Sequence, residues 1–163
     1  MLNELGPRLR EALPGSVRMR HQTGPREHAS VDESYRRAGL DAEVVPYIRD
    51  MAAELADTDL AVCRAGAMTV AELAASGTAA LLVPFARATG DHQALNARAH
   101  AEAGAAWCLE EHALSAAAAA AKVREAMDAA SPLGSMDARA RARAIPGAAE
   151  RIVDRLLELL GER

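Results

Sequence analysis

The sequence predicts an α/β domain in which a Rossmann-like parallel sheet is flanked by helices. Short apolar segments, of which 79–84 is the clearest, alternate along the chain with longer segments of helical periodicity. This alternation is typical of βαβ units, whose strands run parallel. The chain of 163 residues is long enough to bury a core, and no linker or internal repeat divides it. We therefore predict a single domain over residues 1–163.

The first half of the chain begins with a helix and continues with alternating strands and helices. Leucines at helical spacing over 2–13 predict the first helix, which Pro14 ends. Alternating apolar and basic residues over 17–21 predict a strand that ends before Gly24. The elements that follow are predicted as a polar helix over 30–38, a strand at 43–46, a helix at 50–56 and a strand at 59–63.

The second half repeats the alternation and then ends in three helices. Ala67 opens a helix that runs to Ser76, and Gly77 suits the left-handed position beyond a helix. Ser115 is placed to cap the Ala-rich helix that follows the last strand. The remaining elements are predicted as a strand at 79–84, a helix from 91 to about 103, a strand at 105–109, and final helices at roughly 135–144 and 147–160.

Composition narrows the possible functions and the location of the protein. The net charge of −4 argues against a nucleic-acid surface, so we expect no nucleic-acid partner. Cys63 and Cys108 fall inside predicted strands, which is typical of buried thiols in a reducing compartment. We find neither a signal peptide nor a run of apolar residues long enough to span a bilayer. We therefore expect a cytosolic protein that is at most peripheral to a membrane.

The stretch over 59–72 is the most informative feature of the chain. An apolar strand runs into a turn at Gly66 that opens a helix, and such an opening presents unpaired backbone N–H groups to a phosphate. Glu72 lies inside that helix, where its carboxylate could accept hydrogen bonds from ribose hydroxyls. A polar loop containing His92 and Gln93 follows the next apolar strand. This order of elements predicts a sugar-nucleotide pocket.

Two features of the C-terminal helices favour ordinary structural roles. Arg139, Arg141 and Arg143 alternate with alanine, which in a helix spreads their charge and predicts a solvated surface. The apolar residues of 147–160 form one face, and the mixed charges beside them favour packing in the core over contact with a membrane. His100 has no partner at metal-ligand spacing, so we interpret it as a surface or half-buried residue.

Several motifs occur in an order that resembles one family along essentially the whole chain. They are His21-Gln-Thr-Gly24, Tyr47-Ile-Arg-Asp-Met51, Val62-Cys-Arg-Ala-Gly-Ala-Met-Thr-Val-Ala-Glu72, Leu81-Leu-Val-Pro-Phe85, Asp91-His-Gln-Ala-Leu-Asn-Ala97, Ala103-Gly-Ala-Ala106 and Arg143-Ala-Ile-Pro146. Together they closely resemble the bacterial peptidoglycan glycosyltransferases of the MurG family. These enzymes transfer N-acetylglucosamine (GlcNAc) from UDP-GlcNAc to lipid I, which forms lipid II.

The resemblance implies a fold and a set of donor contacts. Family members have two Rossmann-like domains in a GT-B arrangement, and this chain resembles the C-terminal, donor-binding domain. By resemblance, Ile48 would contact uracil through its backbone, and Glu72 would bind the ribose. The other implied UDP-GlcNAc contacts are Arg64 before the turn, Gly66 in the turn, Ala67, Met68 and Thr69 beside the diphosphate and sugar, and His92 with Gln93 at the GlcNAc hydroxyls. Ala65 stands where the family often has serine.

The same resemblance implies that parts of the family's machinery lie outside this sequence. The family's Gly-rich loop and the strand before it should precede Met1, so the sheet is expected to lack its first strand. The acceptor domain would provide the lipid I site and the catalytic base, so we assign no catalytic residue here and predict no activity for the chain alone. We assign no metal ligand and no cofactor. The intact enzyme would lie on the inner face of the bacterial cell membrane.

Two other interpretations remain open at this stage. The chain could be a stand-alone donor-binding subunit that needs a separate membrane partner, as in the split UDP-GlcNAc transferase of eukaryotic N-glycan assembly. Alternatively, it could be a non-catalytic α/β fragment without a ligand. The upstream genomic sequence would test the first interpretation, and titration with UDP-GlcNAc would test the second.

Overall fold

The computed structural model describes residues 1–86 and 89–161, in which short parallel strands alternate with helices. The helices are α1 (Leu2–Glu11), α2 (His28–Arg37), α3 (Met51–Ala56), α4 (Ala67–Ser76), α5 (His92–Glu102), α6 (Ala116–Met127), α7 (Leu133–Arg141) and α8 (Ala148–Leu160). The strands are β1 (Arg20–Gln22), β2 (Glu43–Val45), β3 (Ala61–Cys63), β4 (Ala80–Leu82) and β5 (Ala106–Cys108). Single 3-10 turns cover Thr89–Asp91 and Glu111–Ala113. The predicted α/β class is confirmed.

The strands form two parallel sheets rather than one. β1 pairs with β2, while β3, β4 and β5 form a second sheet in that order. The resemblance implied a sheet that lacks its first strand, and β1 and β3 lie in different sheets. Each strand is also shorter than predicted, because only three residues in each one form a paired ladder.

β4 is the centre of the core because both of its faces are covered. Leu81 packs on one side against leucines of α1 and alanines of α6. Ala80 and Leu82 point to the other side, where residues of α3, α4 and α5 cover them. Burying a leucine completely contributes about 1.5–3 kcal/mol, and Leu81 and Leu82 are both fully buried. Because both faces of β4 are buried, the strand is apolar at every position.

A polar cluster fixes α1 against β1 and α2. His21 Nε2 lies 3.2 Å from Asn3 Oδ1, and His21 Nδ1 lies 3.0 Å from the Tyr35 hydroxyl. The Asn3 amide nitrogen donates to the Thr23 carbonyl, so the amide oxygen of Asn3 accepts from His21 Nε2–H. In the neutral ring the Tyr35 hydroxyl then donates to Nδ1, and burial lowers the pKa of His21. A Cβ on Gly6 would lie 2.6 Å from both side chains, so only glycine allows this approach.

α7 packs across the C-terminal ends of α4 and α5, which lie away from the carboxyl ends of the strands. The Arg141 guanidinium lies against Gly77, whose φ of 70° ends α4, and the Arg139 guanidinium lies against Gly104 after α5. Asp137 Oδ1 accepts the Ala79 N–H at 2.9 Å, just before β4. Arg139 and Arg141 are both exposed, in agreement with the predicted solvated surface, although each guanidinium also lies against a glycine. Cations at helix C-termini are favourable because they complement the helix dipole.

His100 is also more buried than predicted. It lies on α5 and is only 7% exposed, and neither of its ring nitrogens forms a well-aligned hydrogen bond in the described chain. Burial lowers the pKa of His100, and the nearby positive charge of Arg143 lowers it further. The side chain is therefore held as a neutral imidazole between packed helices.

α8 differs most from its prediction. None of its residues is buried, and Ile152, Leu156 and Leu159 are each more than half exposed. The apolar face was expected to pack in the core, and that expectation is wrong for the described chain. Among the described residues, no helix is both long enough and apolar enough to cross a bilayer.

Candidate functional site

The turn between β3 and α4 forms the helix opening that the sequence predicted. Gly66 precedes the helix in an extended conformation, with φ −63° and ψ 151°. The first backbone bond within the helix runs from Val70 N–H to the Gly66 carbonyl at 3.0 Å. The N–H groups of Ala67, Met68 and Thr69 therefore precede the helical ladder, and no side chain in the described part of the chain caps them. Such a group of donors at the positive end of a helix is suited to an anion.

Gly66 is not required by the protein's own packing. Its φ is one that any residue adopts, and among the described residues a Cβ would approach only Thr69 Oγ1, at 3.7 Å. This situation differs from Gly6 and Gly77, where a Cβ would lie 2.6 Å from another side chain. The missing side chain at Gly66 therefore leaves space in front of the helix opening.

Glu72 lies on α4 as a half-buried carboxylate without a protein partner. It forms no side-chain hydrogen bond or ion pair with the described residues, although it lies close to Cys63 at the end of β3. Burial raises the pKa of the Cys63 thiol to about 12, and the negative charge of Glu72 contributes to that rise. The carboxylate is thus free to accept hydrogen bonds from a ligand.

The opening of α5 is tied to the ends of β3 and β4. Gln93 Oε1 accepts the Phe85 N–H at 3.0 Å, and the Asn96 amide donates to the Ala65 carbonyl at 3.0 Å. His92 is exposed at the first position of the helix. Asp91, just before it, has a φ of 56°, a left-handed value that is uncommon for a residue other than glycine. Residues 87 and 88 of the predicted loop lie outside the described residues.

Arg64 points toward the strand ends. Its Nη1 donates to the carbonyls of Val83 and Pro84, each at 3.2 Å, and to the Glu111 carboxylate. The guanidinium carbon also lies 5.2 Å from the centre of the Phe85 ring. These contacts engage one end of the guanidinium with the protein itself. The sequence predicted a donor contact for Arg64, but it gave no indication of Glu111.

Ile48 follows β2, and its backbone N–H is engaged by a side chain of β1. The N–H donates to Gln22 Oε1 at 2.9 Å. Gln22 belongs to the His-Gln-Thr-Gly motif, which could have signalled its role, but the prediction did not include it among the site residues. No hydrogen bond among the described residues links Ile48 or Gln22 to the opening of α4. The structure therefore joins Arg64, Gln93 and the α4 opening through local contacts, while Ile48 lies in the loop after β2, a strand of the other sheet.

The described residues include no group of three or more His, Cys, Asp or Glu side chains that could hold a metal ion. Asp57 and Asp59 have the Asp-x-Asp spacing of the metal motif found in many glycosyltransferases, but both residues precede β3. They therefore lie toward the opposite end of that strand from Gly66.

Comparison with known proteins identifies the family. Residues 1–152 match the family described as the glycosyltransferase family 28 C-terminal domain. The chain belongs to this family. It is similar to the UDP-N-acetylglucosamine--N-acetylmuramyl-(pentapeptide) pyrophosphoryl-undecaprenol N-acetylglucosamine transferase of Azotobacter vinelandii, with 46% identity over 160 residues. That alignment covers 97% of this chain and 45% of the relative.

Two further similarities agree with this assignment. The transferase of the same name from Thiobacillus denitrificans is 54% identical over 121 residues, which cover 73% of this chain and 33% of the relative. The crystal structure of Acinetobacter baumannii MurG superposes with a TM-score of 0.87 at 33% identity, and the match covers 96% of this chain and 48% of that one. The chain thus spans about half the length of the proteins that it matches most fully. The predicted family and its GT-B type fold are confirmed.

Proposed function

We propose that this chain is the donor-binding half of a glycosyltransferase that moves GlcNAc from UDP-GlcNAc to lipid I. One observation carries the proposal: the uncapped opening of α4, kept clear by Gly66, lies on the same helix as the unpaired carboxylate of Glu72. The names of the relatives, which are N-acetylglucosamine transferases, support this choice of donor sugar.

The opening of α4 would hold the donor diphosphate. The N–H groups of Ala67, Met68 and Thr69 would donate to phosphate oxygens, and the positive end of the helix dipole would add about 0.3–1 kcal/mol. The Glu72 carboxylate would accept from the two ribose hydroxyls. Both contacts fix the part of the donor that leaves, and they hold the anomeric carbon in place.

The N–H groups at the opening of α4 would also assist the transfer step. The acceptor hydroxyl attacks the anomeric carbon from the face opposite UDP, so the glycosidic bond to the phosphate breaks and the configuration inverts. Negative charge then grows on the leaving diphosphate, where the helix N–H groups stabilise it. The N–H groups are held in place before the reaction, so they do not need to reorient as the charge develops, and this lowers the barrier.

The remaining donor contacts follow the loops beside this helix. His92 and Gln93 at the opening of α5 would bind the GlcNAc hydroxyls, and the backbone at Ile48 would bind uracil. Arg64 matches the family position before the turn, but its contacts with Val83 and Glu111 favour a role within the protein. The acceptor site, the catalytic base and the membrane surface would belong to the part of the relatives that this chain does not match.

Glu72 provides the sharpest test of this proposal. We would build a chimera in which this chain replaces the matching part of the Azotobacter vinelandii relative, and we would compare it with its Glu72→Ala variant, which removes the acceptor oxygens. Hydrogen bonds to a charged group are worth roughly 1.5–3 kcal/mol, so the donor KM should rise about ten- to a hundredfold. The KM for lipid I should stay nearly unchanged.

A deoxy donor and a matched variant complete the experiment. A donor that lacks both ribose hydroxyls should be almost insensitive to Glu72→Ala. Glu102→Ala, which removes an exposed carboxylate at the far end of α5, should leave both KM values unchanged. Equal losses for the normal and the deoxy donor would exclude Glu72 from ribose binding.

A further inference from the structure

The loop after β5 contacts the candidate site through two consecutive glutamates. Glu111 accepts from Arg64 in the turn before α4, and its side chain is only 19% exposed. Glu110 accepts from Arg98 of α5 at 2.8 Å. The loop thereby contacts the segment before α4 and the helix α5 itself. No family motif in the sequence includes either glutamate.

We propose that Glu111 and Arg64 are positioning residues that set the sugar-binding end of the site through Phe85 and Gln93. This inference rests on the proposed function. Arg64 would act within the protein and leave the diphosphate to the backbone donors of α4. Glu111 would keep the guanidinium in that orientation.

The carbonyls beside Arg64 explain why its guanidinium stays with the protein. Val83 and Pro84 are buried, and both of their carbonyls accept from Arg64 Nη1 at 3.2 Å. If Arg64 turned toward a ligand, both buried acceptors would lose this partner. Leaving a buried acceptor unpaired is costly, so a phosphate contact would have to offset the loss of both bonds.

A short chain of contacts connects this ion pair to the predicted sugar residue. The Arg64 guanidinium lies over the Phe85 ring at 5.2 Å, and the Phe85 N–H donates to Gln93 Oε1 at 3.0 Å. The Gln93 side chain is therefore oriented by the segment that Arg64 holds. A change at Glu111 should move Gln93 while the backbone donors of α4 keep their positions.

The two possible roles of Arg64 predict opposite results. If Arg64 positions Gln93, removing Glu111 weakens the contact with the sugar but not with the diphosphate. If Arg64 binds phosphate and Glu111 restrains it, removing Glu111 frees a cation and strengthens the binding of UDP. Calorimetric titration with UDP and with UDP-GlcNAc therefore distinguishes the two roles.

The experiment compares the unmodified chain with Glu111→Ala, Glu111→Gln and the control Glu125→Ala. Glu125 also pairs with a cation, Lys122, at 2.8 Å, but it lies on α6 outside the site. Glu111→Ala should weaken UDP-GlcNAc about five- to tenfold, equivalent to one hydrogen bond, while UDP changes less than about twofold. Glu111→Gln keeps an acceptor oxygen and should recover most of the affinity. Glu125→Ala should match the unmodified chain.

Hydrogen exchange at the Phe85 amide provides a readout that needs no ligand. Exchange should accelerate in Glu111→Ala, and it should match the unmodified chain in Glu111→Gln and Glu125→Ala. Unchanged Phe85 exchange would overturn the inference, as would tighter UDP binding or equal losses for the two ligands. If the unmodified chain bound neither ligand, the proposed function would fail, and the exchange rates alone would decide whether Glu111 and Arg64 hold this segment.

Discussion

Replacing Gly66 with alanine should separate the stability of the fold from donor binding. The backbone at Gly66 has φ −63°, and the new methyl group would meet only Thr69 Oγ1, at 3.7 Å. Alanine is a poorer residue than glycine before a helix by about 0.5–1 kcal/mol, but it restricts the unfolded chain and so gains about 0.4–1 kcal/mol. The two effects nearly cancel. The midpoint of thermal unfolding should therefore change by less than about 2 °C.

Donor binding should respond very differently to the same methyl group. It would occupy the space in front of the α4 opening, where the proposed diphosphate approaches the N–H groups of Ala67 and Met68. Loss of one hydrogen bond to a charged phosphate costs roughly 1.5–3 kcal/mol, so the Kd for UDP should rise about ten- to a hundredfold. Calorimetry measures this change, and differential scanning fluorimetry measures the stability.

Gly77→Ala is the matched control for this prediction. Gly77 has a φ of 70°, and a Cβ would lie 2.6 Å from the Arg141 guanidinium. That variant should lose more than about 1 kcal/mol of stability, while UDP binding below its unfolding transition stays unchanged. If Gly66→Ala bound UDP as tightly as the unmodified chain, the diphosphate would not lie at the opening of α4.

Three further predictions concern the fold. Gly6→Ala should cost about 1–3 kcal/mol in urea unfolding, because the methyl group would overlap His21 and Tyr35; an unchanged urea midpoint would exclude that close approach. The folded-state pKa values of His21 and His100 lie below the ordinary value of about 6.5. The free energy of unfolding should therefore be largest above pH 6.5 and should decrease as the pH falls from 6.5 toward those lowered pKa values. Urea midpoints between pH 7.5 and 5 measure this loss, which His100→Leu should reduce. A segment of about fifteen family-like residues, an apolar strand and a Gly-rich loop, could be added before Met1. Its strand should pair with both β1 and β3, and the thermal transition should become sharper. A sharp transition of the monomer without this segment would contradict the prediction.

Local signals in the sequence predicted most of the elements. Ser115 accepts the Ala118 N–H at 3.0 Å, as a helix cap should, and Gly77 has the left-handed conformation expected beyond α4. The opening of α4 was also predicted, because a helix start after a strand depends on neighbouring residues only. These features follow from backbone preferences that act within a few residues.

Contacts between distant segments could not be predicted in the same way. Arg64 and Glu111 are 47 residues apart, and their pairing depends on how the loops after β3 and β5 meet. The contacts of Arg139 and Arg141 with the glycines after α5 and α4 likewise depend on where α7 packs. The exposed apolar face of α8 was misjudged because amphipathic periodicity indicates a buried face without indicating what covers it.

Titration of UDP-GlcNAc into the chain tests the central claim most directly. Calorimetry should show saturable binding of one UDP-GlcNAc per chain, with UDP competing for the same site. ADP should not compete, because the proposed uracil contact at Ile48 selects a pyrimidine. Absence of saturable heat for UDP-GlcNAc, or competition by ADP as strong as that by UDP, would contradict the assignment of this chain as the donor-binding half of a UDP-GlcNAc transferase.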